Sequence, residues 1–164
     1  MEITLNDKKQ IEQEIEHRKV VVRYELLEEV KRTRAFGDLS ENFEYKEAKR
    51  AKNRNESRIR YLERILKNAT IVTDNSTPDT VGLYDTVKYK IEDEDEIYTV
   101  QIVSKMKTNV LNSMITKDSP LGKVLFGSKV GDVLPVSAPC GTYNVIIQEI
   151  IKGNDDDNIP INSY

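Results

Sequence analysis

Apolar side chains in the first part of the chain recur in steps of three, four and seven. From Thr4 to about Arg34 there is no proline or glycine, and Ile11, Ile15, Val22, Leu26 and Val30 share one helical face. Thr4 followed by Asp7 has the spacing of a cap at its start. After Gly37 a second run without proline or glycine extends from about Ser40 to Ala69. There Ile59, Leu62, Leu66 and Ala69 keep the rhythm of a coiled coil. Each run is about 30 residues, hence ~45 Å long as a helix, and so short a bend between them predicts an antiparallel hairpin. Near the bend the facing candidates are small or polar (Ala48, Ala51, Asn55), while Ile59, Leu62, Ile65 and Leu66 gather at the far end. The bend is therefore expected to project into solvent.

Beyond Ala69 the pattern shifts to short runs rich in Val, Ile, Thr and Tyr: "ATIVT", "YDTVKYKI", "IYTVQIV", "SMITK", "DVLPVSA" and "TYNVIIQEI". These read as strands. "EDEDE" and "PCG" are turns between them, and "SPLGKVLFG" is a short helix with Ser119 as N-cap and Pro120 at its first position. The fold class is thus α+β, an N-terminal antiparallel coiled-coil hairpin followed by a small α+β domain. The expected divisions are a hairpin over 1–74, a linker over 75–80, a second domain over 81–152 and a flexible acidic tail over 153–164.

Composition narrows the chemistry. Among 164 residues there is one cysteine and one histidine, which excludes an internal disulfide, a multi-thiolate metal site and a His-rich zinc site. Cys140 reads as an incidental thiol in a turn and His17 as a solvent-facing side chain. The start "MEITLNDKKQ" has no apolar core, and no apolar run reaches a membrane span, so a cytoplasmic setting without membrane contact is expected. The net charge of -3 is unevenly spread: residues 46–67 carry about +6, either as a solvated face or as a surface for phosphates.

The bend itself, "GDLSENFEY", is acidic. Gly37 suits a left-handed position ending the first helix, and Asp38 with Glu41 three residues on has the capping-box spacing for the second. The same carboxylates have acceptor sites to spare for a cation. Mg²⁺ takes one or two carboxylates and fills its other positions with waters and phosphates, so the site reads as incomplete. An incomplete acidic site on a projecting hairpin suggests delivery of carboxylates into another macromolecule's active site, to complete a two-metal phosphoryl-transfer centre.

At these residues the sequence resembles the Gre transcript cleavage factors of bacteria, whose tip motif reads like "GDLSENxEYxxAK", here "GDLSENFEYKEAK". The likeness continues through "RIRYLERILKNATIV", "VGLYDTVKY", "SPLGKVLFGSKVGDVLPVSAP" and "IIQEI". The resemblance implies an FKBP-like second domain that docks on the rim of the secondary channel of bacterial RNA polymerase, while the hairpin enters that channel. It implies that Asp38 and Glu41 help hold a Mg²⁺ shared with the polymerase, which then hydrolyses backtracked nascent RNA near its 3′ end. Asn42, Glu44 and Tyr45 would support the tip. Asp118, Ser119 and Pro120 would dock on the rim, and Arg34, Lys49, Arg50 and Lys52 would face RNA or the channel wall. The chain would act as a monomer and lend residues to the polymerase, without being an enzyme itself. Phe43 stands where smaller residues are frequent in the family, and the loop "KMKTNVLN" departs from the usual acidic pattern.

Two other readings compete. A channel-plugging regulator would inhibit polymerase without cleavage, and retention of both acids argues against it. A peptidyl-prolyl isomerase needs an aromatic-lined pocket, which a chain without tryptophan and with few aromatics after its strand hairpin, Phe126 and Tyr143 among them, supplies poorly.

Overall fold

The computed structural model describes residues 1–37, 42–139, 141–155 and 158–162. Asp38, Glu41 and Cys140 lie outside the described residues. The chain folds as two compact units, one over Lys8–Ala69 and one joining Glu2–Asp7 to the chain from Thr70 onward. The division thus falls ahead of the expected linker, and the first residues go with the sheet. Among the described residues no helix is long and apolar enough to cross a membrane.

The elements in order are β1 (Glu2–Ile3), α1 (Leu5–His17), a π-helical turn (Arg18–Val22), α2 (Arg23–Arg34) and α3 (Phe43–Asn68). Then follow β2 (Thr70–Ile71), β3 (Thr86–Ile91), β4 (Ile97–Val103), β5 (Met114–Thr116), α4 (Pro120–Leu125), β6 (Val133–Ala138) and β7 (Gly141–Ile151). Thr4 and Asp7 form the cap their spacing predicts. The Thr4 N–H donates to Asp7 Oδ2 (3.1 Å) and the Asp7 N–H to Thr4 Oγ1 (3.0 Å), satisfying donors that a helix start leaves open.

In the helical unit Ile11 and Ile15 of α1 and Ile59, Leu62 and Ile65 of α3 are buried, as the apolar rhythm requires. Val22, Leu26 and Val30 are only half-buried, because the middle of the hairpin is polar. In the π turn the Arg23 N–H reaches back to Arg18 O, and that carbonyl also accepts from the buried Asn55 Nδ2 (3.3 Å). Arg18 Nη1 returns a bond to Asn55 Oδ1 (3.2 Å). Glu14 accepts from Arg58 Nε (2.9 Å) and Nη2 (3.0 Å) and from Arg18 Nε (2.6 Å). Burial pushes the Glu14 carboxyl up, but the hydrogen bonds from Arg58 and Arg18 outweigh it and hold the group below the usual carboxylate range. Arg23 forks onto Glu56 at 2.7 and 2.8 Å. A single heptad stripe thus gives way to fixed ionic and amide pairs, which set register as a buried asparagine does in coiled coils.

The second unit holds a five-stranded sheet in the order β5-β4-β3-β7-β6, antiparallel except for β4 with β5. Its core gathers Val81, Val87, Val100, Ile102, Leu125, Val136, Val145 and Ile147. The alternate positions 100/102 and 145/147 show the period of two that the strand runs predict. β1 pairs in parallel with β2, a contact between the chain's start and "ATIVT" that neither run announces locally.

The C-terminal segment, expected to be flexible, is tied down where it is described. The Gly153 N–H donates to Asp85 Oδ1 (3.0 Å), and Lys152 Nζ bonds Asp85 Oδ2 (2.5 Å), Ser76 Oγ (2.9 Å) and Thr80 O (3.1 Å). The last two pin the 75–80 linker as well. The Asn162 N–H donates to Met106 O (2.7 Å). Asp155 meets Lys107 Nζ at 2.8 Å, with Asp7 Oδ1 at 3.7 Å from the same nitrogen and the Tyr84 ring centroid at 5.2 Å. The Lys107 ammonium and the Asp7 carboxylate are both buried. Burial acts to raise the Asp155 carboxyl, yet bonds from Lys107, Thr4 and Asn6 prevail and lower it.

Candidate functional site

Helix α2 ends at Arg34, with Ala35 as C-cap, and Gly37 follows at φ +108°. Gly37 therefore takes the left-handed backbone two residues beyond the cap, not directly after it. Helix α3 begins at Phe43, and its N-cap is Asn42, whose side-chain oxygen accepts from the Tyr45 N–H (2.9 Å). This corrects the expected capping box: the helix starts later than Asp38 and Glu41 would place it, and asparagine is as good a cap as aspartate.

The Asn42 amide also reaches across the bend. Its Nδ2 donates to Thr33 O (2.9 Å), the same carbonyl that accepts the Phe36 N–H (3.3 Å). Thr33 is buried and its hydroxyl donates back to Glu29 O (2.9 Å). The two ends of the 37–41 segment thus converge on one backbone oxygen. Of the predicted tip residues, Tyr45 contributes its backbone N–H to the cap. Glu44, in the first turn of α3, lies 3.7 Å from Arg32 Nη2, which also pairs with Glu29 (2.6 Å). Among the described residues no three His, Cys, Asp or Glu side chains converge as a metal site would require.

The remaining predicted residues fall in both units. In the sheet unit, Ser119 caps α4 by accepting from the Gly122 N–H (3.0 Å) while donating to Thr116 O (2.8 Å), and Pro120 holds the first helical position. Asp118 is exposed and paired with Lys105 Nζ (2.7 Å), whose hydrogen bond keeps its carboxyl below the usual range. Along the hairpin, Arg34 and Lys49 are exposed and Lys52 half-buried. Arg50 pairs with Glu47 (2.5 Å) and joins Asn53, Arg54, Ser57, Arg58 and Tyr61 in lining one open groove. The sequence counts Arg54 only within the basic stretch 46–67 and gives Tyr61 no role. Their three- and four-residue spacing from Arg50 and Arg58 is the signal that would have found that face.

Two family models match the chain in succession: a transcription elongation factor N-terminal domain over residues 1–71, and a GreA/GreB transcription elongation factor C-terminal domain over residues 75–152. Among curated proteins, the transcription elongation factor GreA of Thermoanaerobacter pseudethanolicus is 42% identical over 92% of this chain and 96% of its own length. The chain belongs to the Gre family of transcription elongation factors. GreA of Clostridium botulinum strain Langeland is 41% identical over 90% of this chain and 93% of its own. The crystal structure of GreA factor homologue 1 of Thermus thermophilus aligns with 93% of this chain and 99% of its own, at 29% identity and a TM-score of 0.42.

For this Gre-family chain the N-terminal match takes in the whole hairpin together with "GDLSENFEYKEAK", and the C-terminal match takes in the five-stranded sheet and α4. The motif is therefore the segment that connects α2 to α3. It runs on into the first turns of α3, and its Asn42 is the residue that the structure joins to Thr33 of α2.

Proposed function

We propose that this Gre-family chain inserts its helical hairpin into the secondary channel of RNA polymerase and stimulates endonucleolytic cleavage of backtracked nascent RNA, rescuing arrested complexes. The observation that supports the reading is where the acidic motif falls. It joins the ends of two long helices whose termini share the Thr33 carbonyl, so a short segment rich in carboxylates is carried between them. Asn42 serves as the cap of α3, which relieves Asp38 and Glu41 of that task.

Asp38 and Glu41 are the residues that would hold Mg²⁺, with the other ligands coming from the polymerase and the RNA. Two carboxylates suit this hard ion, which binds few protein groups beside waters and phosphate oxygens. When bound, the ion supplies Lewis acidity and a more acidic water. The chain's own part is to present ionised oxygens just ahead of a helix N-terminus, where the dipole favours the charged form. It lends these groups and is not a nuclease alone. The sheet unit docks on the channel rim through Asp118, Ser119 and Pro120. Arg34, Lys49, Arg50 and Lys52 face the RNA 3′ segment or the channel wall, and the factor works as a cytoplasmic monomer.

Backtracked elongation complexes incubated with the protein and Mg²⁺ test this. The transcript is expected to shorten at its 3′ end, and Asp38→Ala or Glu41→Ala to abolish the shortening. Identical behaviour of wild type and both variants would refute the mechanism. Asp118→Ala is expected to raise the protein concentration needed for half-maximal cleavage while leaving the saturating rate intact. If the factor plugs the channel without cleaving, full-length transcript yield on an unpaused template falls when it is added.

A further inference from the structure

Two of the three phenylalanines in the chain flank the acidic bend, Phe36 before it and Phe43 after it. Both are open to solvent, Phe36 at 62% and Phe43 at 81% relative exposure. Single exposed apolar residues are ordinary on protein surfaces. This pair differs, because the Phe36 N–H and the Asn42 side chain meet at Thr33 O, which brings the backbone beside both rings to one place. Each ring also has a cation beside it: Arg32, itself hydrogen-bonded to Glu29, lies 5.3 Å from the Phe36 centroid, and Lys46 Nζ lies 5.7 Å from that of Phe43.

Neither ring belongs to a buried core. Phe43 is the first residue of α3, where a smaller side chain has better helix propensity, and it buries little surface. Aromatic rings set among cations are the chemistry that holds single-stranded nucleic acid, with bases stacking on the rings and phosphates meeting the charges. An apolar protein wall would be matched by rings without flanking charge. Asp38 and Glu41, which fall between the two phenylalanines in sequence, would repel phosphate unless a metal ion intervenes, whereas a base stacked on a ring meets no such repulsion.

We propose that Phe43, assisted by Phe36, stacks on an unpaired base of the extruded RNA and so sets which RNA 3′ segments this factor cleaves best. The inference rests on the reading above that the hairpin tip meets backtracked RNA. It makes Phe43 a determinant of substrate preference in this chain. The ligand class is a single-stranded RNA base at the 3′ segment.

Two readouts test it in full elongation complexes. In the first, Phe43→Ala, Phe43→Leu and Phe43→Trp are compared on backtracked RNA with a normal or an abasic extruded nucleotide. Stacking predicts that Ala and Leu each raise the half-maximal factor concentration about five-fold or more on normal RNA, that Trp restores it, and that all four proteins converge on abasic RNA. Restoration by Leu, an equal loss on both RNAs, or no loss at all overturns the proposal. In the second, p-benzoylphenylalanine at position 43 in the Asp38→Ala background is photolysed on a complex with labelled RNA. A crosslink to RNA supports stacking; a crosslink to polymerase alone, or none, overturns it. Because this readout needs no cleavage, it separates failure of the stacking from failure of the cleavage mechanism.

Discussion

The carbonyl of Thr33 accepts from the Phe36 N–H and from Asn42 Nδ2, while Asn42 Oδ1 accepts from the Tyr45 N–H, so one amide side chain both starts α3 and ties it to the end of α2. Asn42→Ala removes both bonds and is expected to lower stability by about 1 kcal/mol, the usual cost of losing an N-cap, read by thermal unfolding. Asn42→Asp keeps the acceptor but has no donor for Thr33 O. It should therefore recover the capping part of the loss and leave the tip less well ordered, measurable as faster amide exchange at Phe36. Capping was legible in the sequence as a class of event. Its owner was not, because Asp38 and Asn42 have similar cap preference and only the donor function of the amide, which needs α2 alongside, separates them.

Between the helices, Glu14 pairs with Arg58 and Arg18 alongside the apolar stripe. Arg58→Met leaves the half-buried Glu14 with Arg18 as its remaining partner and is expected to destabilise the hairpin by about 1.5–3 kcal/mol, the range for hydrogen bonds to a charged group. Replacing both, Glu14→Leu with Arg58→Met, should recover most of that loss. The Glu14 carboxyl is lowered in the folded state, so its contribution is complete at pH values above the ordinary carboxylate range and is lost as pH falls through the lowered value. Helical content followed from neutral pH into acid is expected to melt at progressively lower temperature, and the Glu14→Leu/Arg58→Met protein to show a shallower dependence. The small and polar positions Ala48, Ala51 and Asn55 were readable as facing residues. The π turn over Arg18–Val22 was not, since its extra residue is placed by Asn55 and Arg18 meeting across the hairpin rather than by any local preference.

Within the sheet unit, Lys107 binds Asp7 from the chain's first helix and Asp155 from its C-terminal segment, and so joins three stretches that are remote in sequence. Lys107→Ala would leave two carboxylates without their buried counter-charge. It is expected to cost about 3–5 kcal/mol in denaturant unfolding of this unit and to speed amide exchange in residues 2–7 and 153–155. If exchange in those segments is unchanged, the lysine is not what holds them. The sequence by itself determined the helical hairpin, the strand-rich second half, the acidic motif at the bend and the α4 cap, because each is written in side-chain periods or spacings within a few neighbouring residues. Only the tertiary structure decided that residues 2–7 join the sheet unit, that the C-terminal segment is anchored, and that Lys107 is buried. Those outcomes depend on which distant segments meet once strands have paired, and a charged side chain looks the same in sequence whether it faces water or a partner brought in by the fold.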